Sequence, residues 1–412
     1  MIPQGYKQTE IGVIPEEWEI VSLLSKCTLL NGLTYTPNDI SDNGLLVIRS
    51  SNVQNNQLVF SDNVYVDLTV ADEKLIKKDD IIICVRNGSA ALIGKCAKAS
   101  RDYAITFGAF MAVLRGDNNG YIYQLLQQGT IQKHTSKNSG ATINQITNAD
   151  FKTIYIPFPT HAKEQERIAE ALSDVDSMIS SLEKLIAKEK AIKQGAMQEL
   201  LTGKKRLPGF TGEWKNCVIG DMGDFYSGLS GKSKKDFDCG DAHFITFLNV
   251  LLNVKIDTSI LASVNVKENE SQNAVQKGDL FFNTSSETPE EVGMCAVLDE
   301  ELENTYLNSF CFGFRLNDDA HNPLFLSYYL NSSIGRKIMS VLAQGATRYN
   351  LSKNNFSETI IKLPIKEEQT AIASILSDMD NEIEALEQKL AKTRQIKQGM
   401  MQQLLTGKIR LM

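Results

Sequence analysis

Residues 164–207 read EQERIAEALSDVDSMISSLEKLIAKEKAIKQGAMQELLTGKKRL, and residues 368–411 read EQTAIASILSDMDNEIEALEQKLAKTRQIKQGMMQQLLTGKIRL, at a constant offset of 204. A helix-patterned segment present once in each half of the chain implies that the whole fold is duplicated. Within the first copy Ile168, Leu172, Val175, Ile179, Leu182, Ile186, Glu189, Lys193, Ala196 and Leu200 step by alternating four and three residues. The second copy keeps the register with Ile372, Leu376, Met379, Ile383, Leu386, Leu390, Thr393, Lys397, Met400 and Leu404. A sustained period of about 3.5 residues specifies a coiled-coil seam. At a rise of about 1.5 Å per residue, roughly 39 residues make a rod of roughly 58 Å. Such a rod is too long to bury its stripe on its own domain, so the partner expected is the other copy, running antiparallel. Pro159 and Pro364 precede the helices, and Gly203 and Gly407 punctuate their ends.

The repeat extends outward from the helices. Trp18 in IPEEWEIV corresponds to Trp214 in FTGEWKNCVIG, Asn52 to Asn249, KKDDIIICV to QKGDLFFNT, and IGKCA to VGMCA. SGATINQITNADFKTIYIPFP likewise corresponds to QGATRYNLSKNNFSETIIKLP. Because the N-terminus matches the segment after the first helix, the repeat is circular, and symmetric halves would bring the termini together. Short apolar runs such as LLVIRSSNV, DDIIICVRNGS and ITFGAFMAVL, broken by Asn, Asp and Gly, predict a mainly antiparallel sheet or barrel. A helix is expected from about Gly120 to Ser139, and GATINQITNADF, with a capping Asn or Asp, leads into the strand TIYIPFP.

The fold class expected is therefore α+β: two β-rich globular domains separated by two long helices that form an antiparallel coiled coil, in a pseudo-twofold circular repeat. The boundaries are 1–163, 164–206, 207–367 and 368–412.

Length and composition restrict the function classes. A chain of 412 residues, 42% of them hydrophobic, can bury more than one core. No apolar run reaches membrane-spanning length, and MIPQGYKQTEIG lacks the pattern of a signal peptide, so no membrane partner and a cytoplasmic location are expected. Seven cysteines without a CxxC spacing read as buried free thiols. His134, His161, His243 and His321 do not lie in ligand spacing with them, so no metal site is expected. The net charge of −7 is unfavourable for a chain that neutralises phosphates alone, but the imbalance is confined to 207–367, with 14 basic and 21 acidic residues.

Catalytic motifs are missing. GLSGKS at 228–233 has Tyr226 where a phosphate loop requires glycine, and Asn322-Pro323-Leu324-Phe325 lacks an accompanying glycine-rich cofactor loop. No catalytic residue is assigned. The polar strand ends carry the binding candidates: Arg49, Ser50, Asn52, Arg86, Asn87, Ser89, Lys137 and Asn138 in the first half, and Asn249, Asn283, Thr284, Ser285, Arg348, Tyr349 and Asn350 in the second. Arginine can read guanine with two hydrogen bonds, and asparagine or glutamine can read adenine. Matching positions such as Asn52 and Asn249 suit scaffold geometry, whereas differing ones such as Arg86 and Ser285 suit different targets.

The helix starts LSDVDSMI and LSDMDNEI, the pairs Glu164-Gln165 and Glu368-Gln369, the KQGxMQxLLTGKxRL ends and GVIPEEW together resemble the specificity subunit of Type I restriction-modification enzymes. The resemblance covers essentially the whole chain. It implies two target-recognition domains that read a bipartite, asymmetric double-stranded DNA site, and helical regions that set the spacer. It further implies docking of two methylation subunits, which flip the target adenine and hold S-adenosylmethionine, with restriction subunits joining through the complex. ATP and Mg, like S-adenosylmethionine, then belong to those partners, and no cofactor belongs to this chain. The competing class is a structural or interaction protein that presents two β-rich ligand-binding domains on a coiled-coil spacer.

Overall fold

The structure, a computed structural model, describes residues 2–129, 145–267, 269–345 and 347–412. Two compact units divide it, 1–183 with 388–412 and 184–387. Each unit thus holds one globular domain and a part of each long helix, so the division runs through the helices instead of along their ends. The reason is packing: the seam residues at the helix ends belong to the cores of the globular domains.

In the first unit a four-stranded antiparallel sheet has the order Cys96–Lys98, Ile81–Cys84, Met111–Arg115, Thr28–Asn31. Ile81–Cys84 is buried at every position, as an inner strand covered on both faces must be. A second sheet of Thr106–Phe107, Leu45–Ile48, Val64–Val66 and Ile40–Ser41 contains a parallel pairing, between Thr106–Phe107 and Leu45–Ile48. The helix expected over about 120–139 is Asn119–Gln127, ending at Gln127 before the turn at 128–129, and residues 130–139 of that expectation lie outside the described residues; the capped turn is Asn148–Lys152. Its cap is Thr147, whose hydroxyl accepts from Asp150 N, rather than the asparagine or aspartate expected. Tyr155–Phe158 then pairs with Glu19–Ser22. The core joins Ile14, Trp18, Leu23, Tyr121 and Phe158 to Ile168 and Leu172 of the first long helix, to Met401 and Leu404 of the second, and to Leu405 just past its end.

The second unit repeats this plan. Gly223–Ser227, Cys311–Leu316, Leu280–Asn283 and Cys295–Val297 form its four-stranded sheet, and Lys215–Val218 pairs with Ile360–Leu363. Its parallel pairing joins Phe237–Ile245 to Thr305–Leu307. Its core takes Leu200 from the first long helix and Ile372 and Leu376 from the second.

The long helices span Ala162–Leu200 and Lys366–Leu404, 39 residues each. Every apolar seam position is buried or half-buried. Polar contacts link the two helices inside each unit. In the first unit Lys397 pairs with Asp176 and Arg394 with Glu183 at 2.6 Å; in the second, Lys193 pairs with Asp380 and Lys190 with Glu387 at 2.6 Å. In each unit the partner numbers fall along one helix as they rise along the other, so the paired segments run in opposite directions. Two of the four polar positions in the seam thus receive a cross-helix partner: Lys193 and Lys397, at matched positions, each meet the second aspartate of the LSDxD segment of the opposite helix. Thr393 instead turns back, donating to Lys389 O at 2.7 Å.

The chain ends meet within the first unit, where Tyr6 Oη donates to Gly407 O at 3.0 Å. Five of the seven cysteines are buried, while Cys217 is half-buried and Cys239 exposed. Burial pushes the Cys27, Cys96 and Cys311 thiols up to about 12. Among the described residues no helix is long and apolar enough to cross a membrane, and no His, Cys, Asp and Glu group is arranged to hold a metal.

Candidate nucleic-acid interface

The strand Ile81–Cys84 leaves the first core at Val85 and Arg86, where the sequence turns from apolar to polar. Val85 N and Arg86 N both donate to Phe110 O, at 3.0 and 3.2 Å, and Arg86 bridges to Gln145. Asn87 then holds the turn: its Oδ1 accepts from Ser89 N, and its Nδ2 donates to Ser50 Oγ, both at 3.0 Å. The 49–52 and 86–89 segments, read separately in the sequence, therefore form one loop cluster. Arg49 is tied to Asp62 at 2.8 Å, so its charge is already partly answered.

The second unit builds the matching cluster. Thr284 donates to Phe310 O through its N–H at 3.0 Å and its hydroxyl at 2.8 Å. Ser285 pairs with Asn350 and Ser286 with Tyr349 in a small sheet. Arg348 and Asn350 are exposed. The bridge between Arg86 and Gln145 in one unit thus corresponds to the pairing of Ser285 and Asn350 in the other. Gln145 is absent from the sequence candidates, although the 205-residue offset pairs it with Asn350, which is among them.

Three candidates have another job. Asn52, Asn249 and Asn283 are fully buried and cannot reach a duplex as they stand. Asn52 Oδ1 accepts from Arg49 N at 3.0 Å while its Nδ2 donates to Val59 O at 3.0 Å. Asn249 takes both the N–H and the C=O of Asp257, at 3.0 and 2.8 Å. Asn283 Oδ1 accepts from Met294 N at 2.7 Å, and its Nδ2 donates to Glu291 O at 2.9 Å. Each satisfies loop backbone that burial would otherwise leave unpaired. Lys137 and Asn138 lie outside the described residues.

At the other end of each of the strands Ile81–Cys84 and Leu280–Asn283 a buried carboxylate ties the sheet. Asp80 receives Arg115 Nε at 2.8 Å and a terminal guanidinium nitrogen at 2.6 Å, and Asp279 receives Arg315 in the same way and at the same distances. These hydrogen bonds push both guanidinium groups further above their usual range, against the opposing effect of desolvation. In the second unit the Tyr226 hydroxyl also donates to Asp279, at 2.5 Å. The phosphate-loop resemblance fails on geometry as well, because the Lys232 side chain is buried, donating to Asn265 O at 2.6 Å and pairing with Glu270.

Two matched units, each with a polar loop cluster rooted in a buried strand end, define a duplicated, bivalent recognition protein with mixed helix and strand content. The model of the Type I restriction modification DNA specificity domain matches residues 15–194 and again 211–395, and the chain belongs to that family. It is 25% identical to the Type I restriction enzyme EcoKI specificity subunit of Escherichia coli (strain K12), over 97% of this chain and 90% of that one. It is 26% identical to the StySPI specificity subunit of Salmonella potsdam, over 88% and 81%. Its fold is similar to that of the Type I restriction-modification S subunit from M. genitalium, with a TM-score of 0.62 at 16% identity, covering 94% of this chain and 96% of that one. A chain solved in work on complex assembly and conformational transition of the type I R-M system aligns with a TM-score of 0.55 at 16% identity, over 96% and 99%.

Proposed function

We propose that this chain is the non-catalytic, DNA-reading subunit of a Type I restriction-modification complex, each unit reading one half of a bipartite, asymmetric site in the major groove. The observation that carries this reading is the pair of matched loop clusters. Their scaffold is the same, with a carbonyl-anchored strand end and an Arg–Asp pair at the other end of the same strand, while the groups left at the surface differ: Arg86 and Gln145 on one, Arg348 and Asn350 on the other, with Ser285, a sequence candidate, buried in its small sheet. A common frame with different hydrogen-bonding groups suits two unlike half-sites.

In this reading the two long helices are an antiparallel coiled coil that sets the spacer and docks two methylation subunits. Restriction subunits join through that complex, in the cytoplasm. S-adenosylmethionine, ATP and Mg belong to those partners. Cationic surface on the methylation subunits would offset the acidic balance of residues 207–367. The test is binding of the chain with its methylation subunits to duplexes at fixed salt, after the methylated motif has been read from the host genome. Retention of the cognate duplex at least about a thousandfold over a random one supports the reading. Equal affinity for both overturns it.

A further inference from the structure

Phe110 and Phe310 occupy corresponding places in the two units, at an offset of 200, and both are exposed, at 54% and 59%. Neither ring is needed by the core beneath, which is closed by Phe107 and Met111 in one unit and by Leu307 and Cys311 in the other, all buried. Each phenylalanine sits near the tip of a tight turn, closed by Met111 N on Gly108 O at 2.8 Å and by Cys311 N on Asn308 O at 3.1 Å. Asn308 Oδ1 also accepts from Phe310 N at 2.7 Å.

The backbone of each is fixed by the neighbouring candidate residues. Phe110 O takes Val85 N and Arg86 N, and Phe310 O takes two hydrogen bonds from Thr284. The Arg86 guanidinium lies 5.2 Å from the centre of the Phe110 ring. A single exposed apolar side chain is ordinary on a protein surface, but the same side chain at the same place in both units, on a backbone anchored each time by the neighbouring candidate residues, points to a use beyond folding.

We propose that Phe110 and Phe310 are specificity-determining residues, each making apolar contact with the 5-methyl group of a thymine in the half-site read by its unit. The inference rests on the DNA-reading function proposed above. It adds a contact that the polar candidates cannot make, because the thymine methyl is the apolar feature of the major-groove edge. The matched positions predict one such thymine in each half-site, and Arg86 beside the Phe110 ring places a hydrogen-bond donor next to that contact.

The experiment uses the chain assembled with its methylation subunits, as wild type, Phe110→Ala and Phe310→Ala, with circular dichroism to confirm folding. Binding is measured at fixed salt to the cognate duplex, to a random duplex, and to cognate duplexes in which each thymine in turn is replaced by uracil, which lacks the methyl. Each alanine variant is expected to lose about tenfold at the cognate site and nothing at the random one. Wild type is expected to lose affinity at one uracil position in each half-site, and the corresponding variant to be insensitive there. If wild type discriminates its site but both variants bind it equally well, or no uracil position matters, this inference is overturned and the DNA-reading function stands. Failure of wild type to discriminate overturns both.

Discussion

Arg410, near the C-terminal end of the chain, forms a two-pronged ion pair with Glu164 at the start of the first long helix, through Nε to Oε1 and through a terminal nitrogen to Oε2 at 2.9 Å. Glu164 is fully buried and also accepts from Trp18 Nε1 at 3.2 Å. The second unit repeats the arrangement, with Arg206 on Glu368 at 2.6 Å through both prongs. The neighbouring glutamines repeat as well: Gln165 Nε2 donates to Pro159 O at 2.7 Å and Gln369 Nε2 to Pro364 O at 2.8 Å. The EQ pairs and the LTGKxRL ends, far apart in each copy, are therefore two halves of one joint. Each joint is completed by the other copy, as a circular repeat requires.

Removing the arginine leaves a buried carboxylate without its main partner. Arg410→Leu is expected to destabilise the first unit by about 3 kcal/mol, the lower end of the range for a broken buried pair because the guanidinium keeps an edge in solvent. Urea unfolding of the variant checks this. Adding Glu164→Gln to it should recover part of the loss, since the buried charge is then gone; failure to recover would show that the charge is not the cause.

The two tryptophans differ in a way that their sequence match conceals. Trp18 donates to Glu164, whereas Trp214 Nε1 is buried with no hydrogen-bond partner among the described residues. Trp18→Phe should therefore cost more than Trp214→Phe, by about 1 kcal/mol, the net worth of one buried hydrogen bond. Parallel thermal melts of the two variants decide it.

Glycines in the two LTG segments and in the two KQG segments predict opposite effects. Gly407 has φ +70°, and a Cβ there would lie 2.5 Å from Pro15 Cδ, so Gly407→Ala should destabilise by about 1–2 kcal/mol. Gly399 lies inside the helix with nothing within 4 Å of an added Cβ, so Gly399→Ala should stabilise by about 0.5–1 kcal/mol. Denaturant midpoints compared at equal m-value test both.

Deleting one heptad from each long helix, 181–187 together with 385–391, should shorten the rod by about 10 Å. Methylome sequencing of a host carrying this variant is expected to show both half-site sequences unchanged and the number of bases between them reduced. An unchanged gap would show that the helices are not the ruler.

The duplication, the long helices and their seam were legible in the sequence because periodicity and internal offset are properties of residue order. The EQ and KxRL motifs were legible as marks of the family for the same reason. The joint between Arg410 and Glu164 was not, since it depends on two residues 246 positions apart meeting in space. Nor did composition reveal that Lys193 and Lys397 lie opposite Asp380 and Asp176, which converts an apparent flaw in an apolar seam into a matched pair of cross-helix contacts. Asn52 and Asn249 were legible as scaffold because they match between the halves, whereas Asn283, a polar residue at a strand end, read only as a binding group; burial and two-sided backbone hydrogen bonding make all three internal supports. Phe110 and Phe310 show the reverse, since an apolar run predicts burial of its aromatics and a tight turn directs these two outward. Residue order determined the architecture, since local pattern and repetition suffice for it. Which polar and aromatic side chains face solvent was decided only by the tertiary structure, where the hydrogen-bonding needs of buried backbone are met first and the groups left over are displayed.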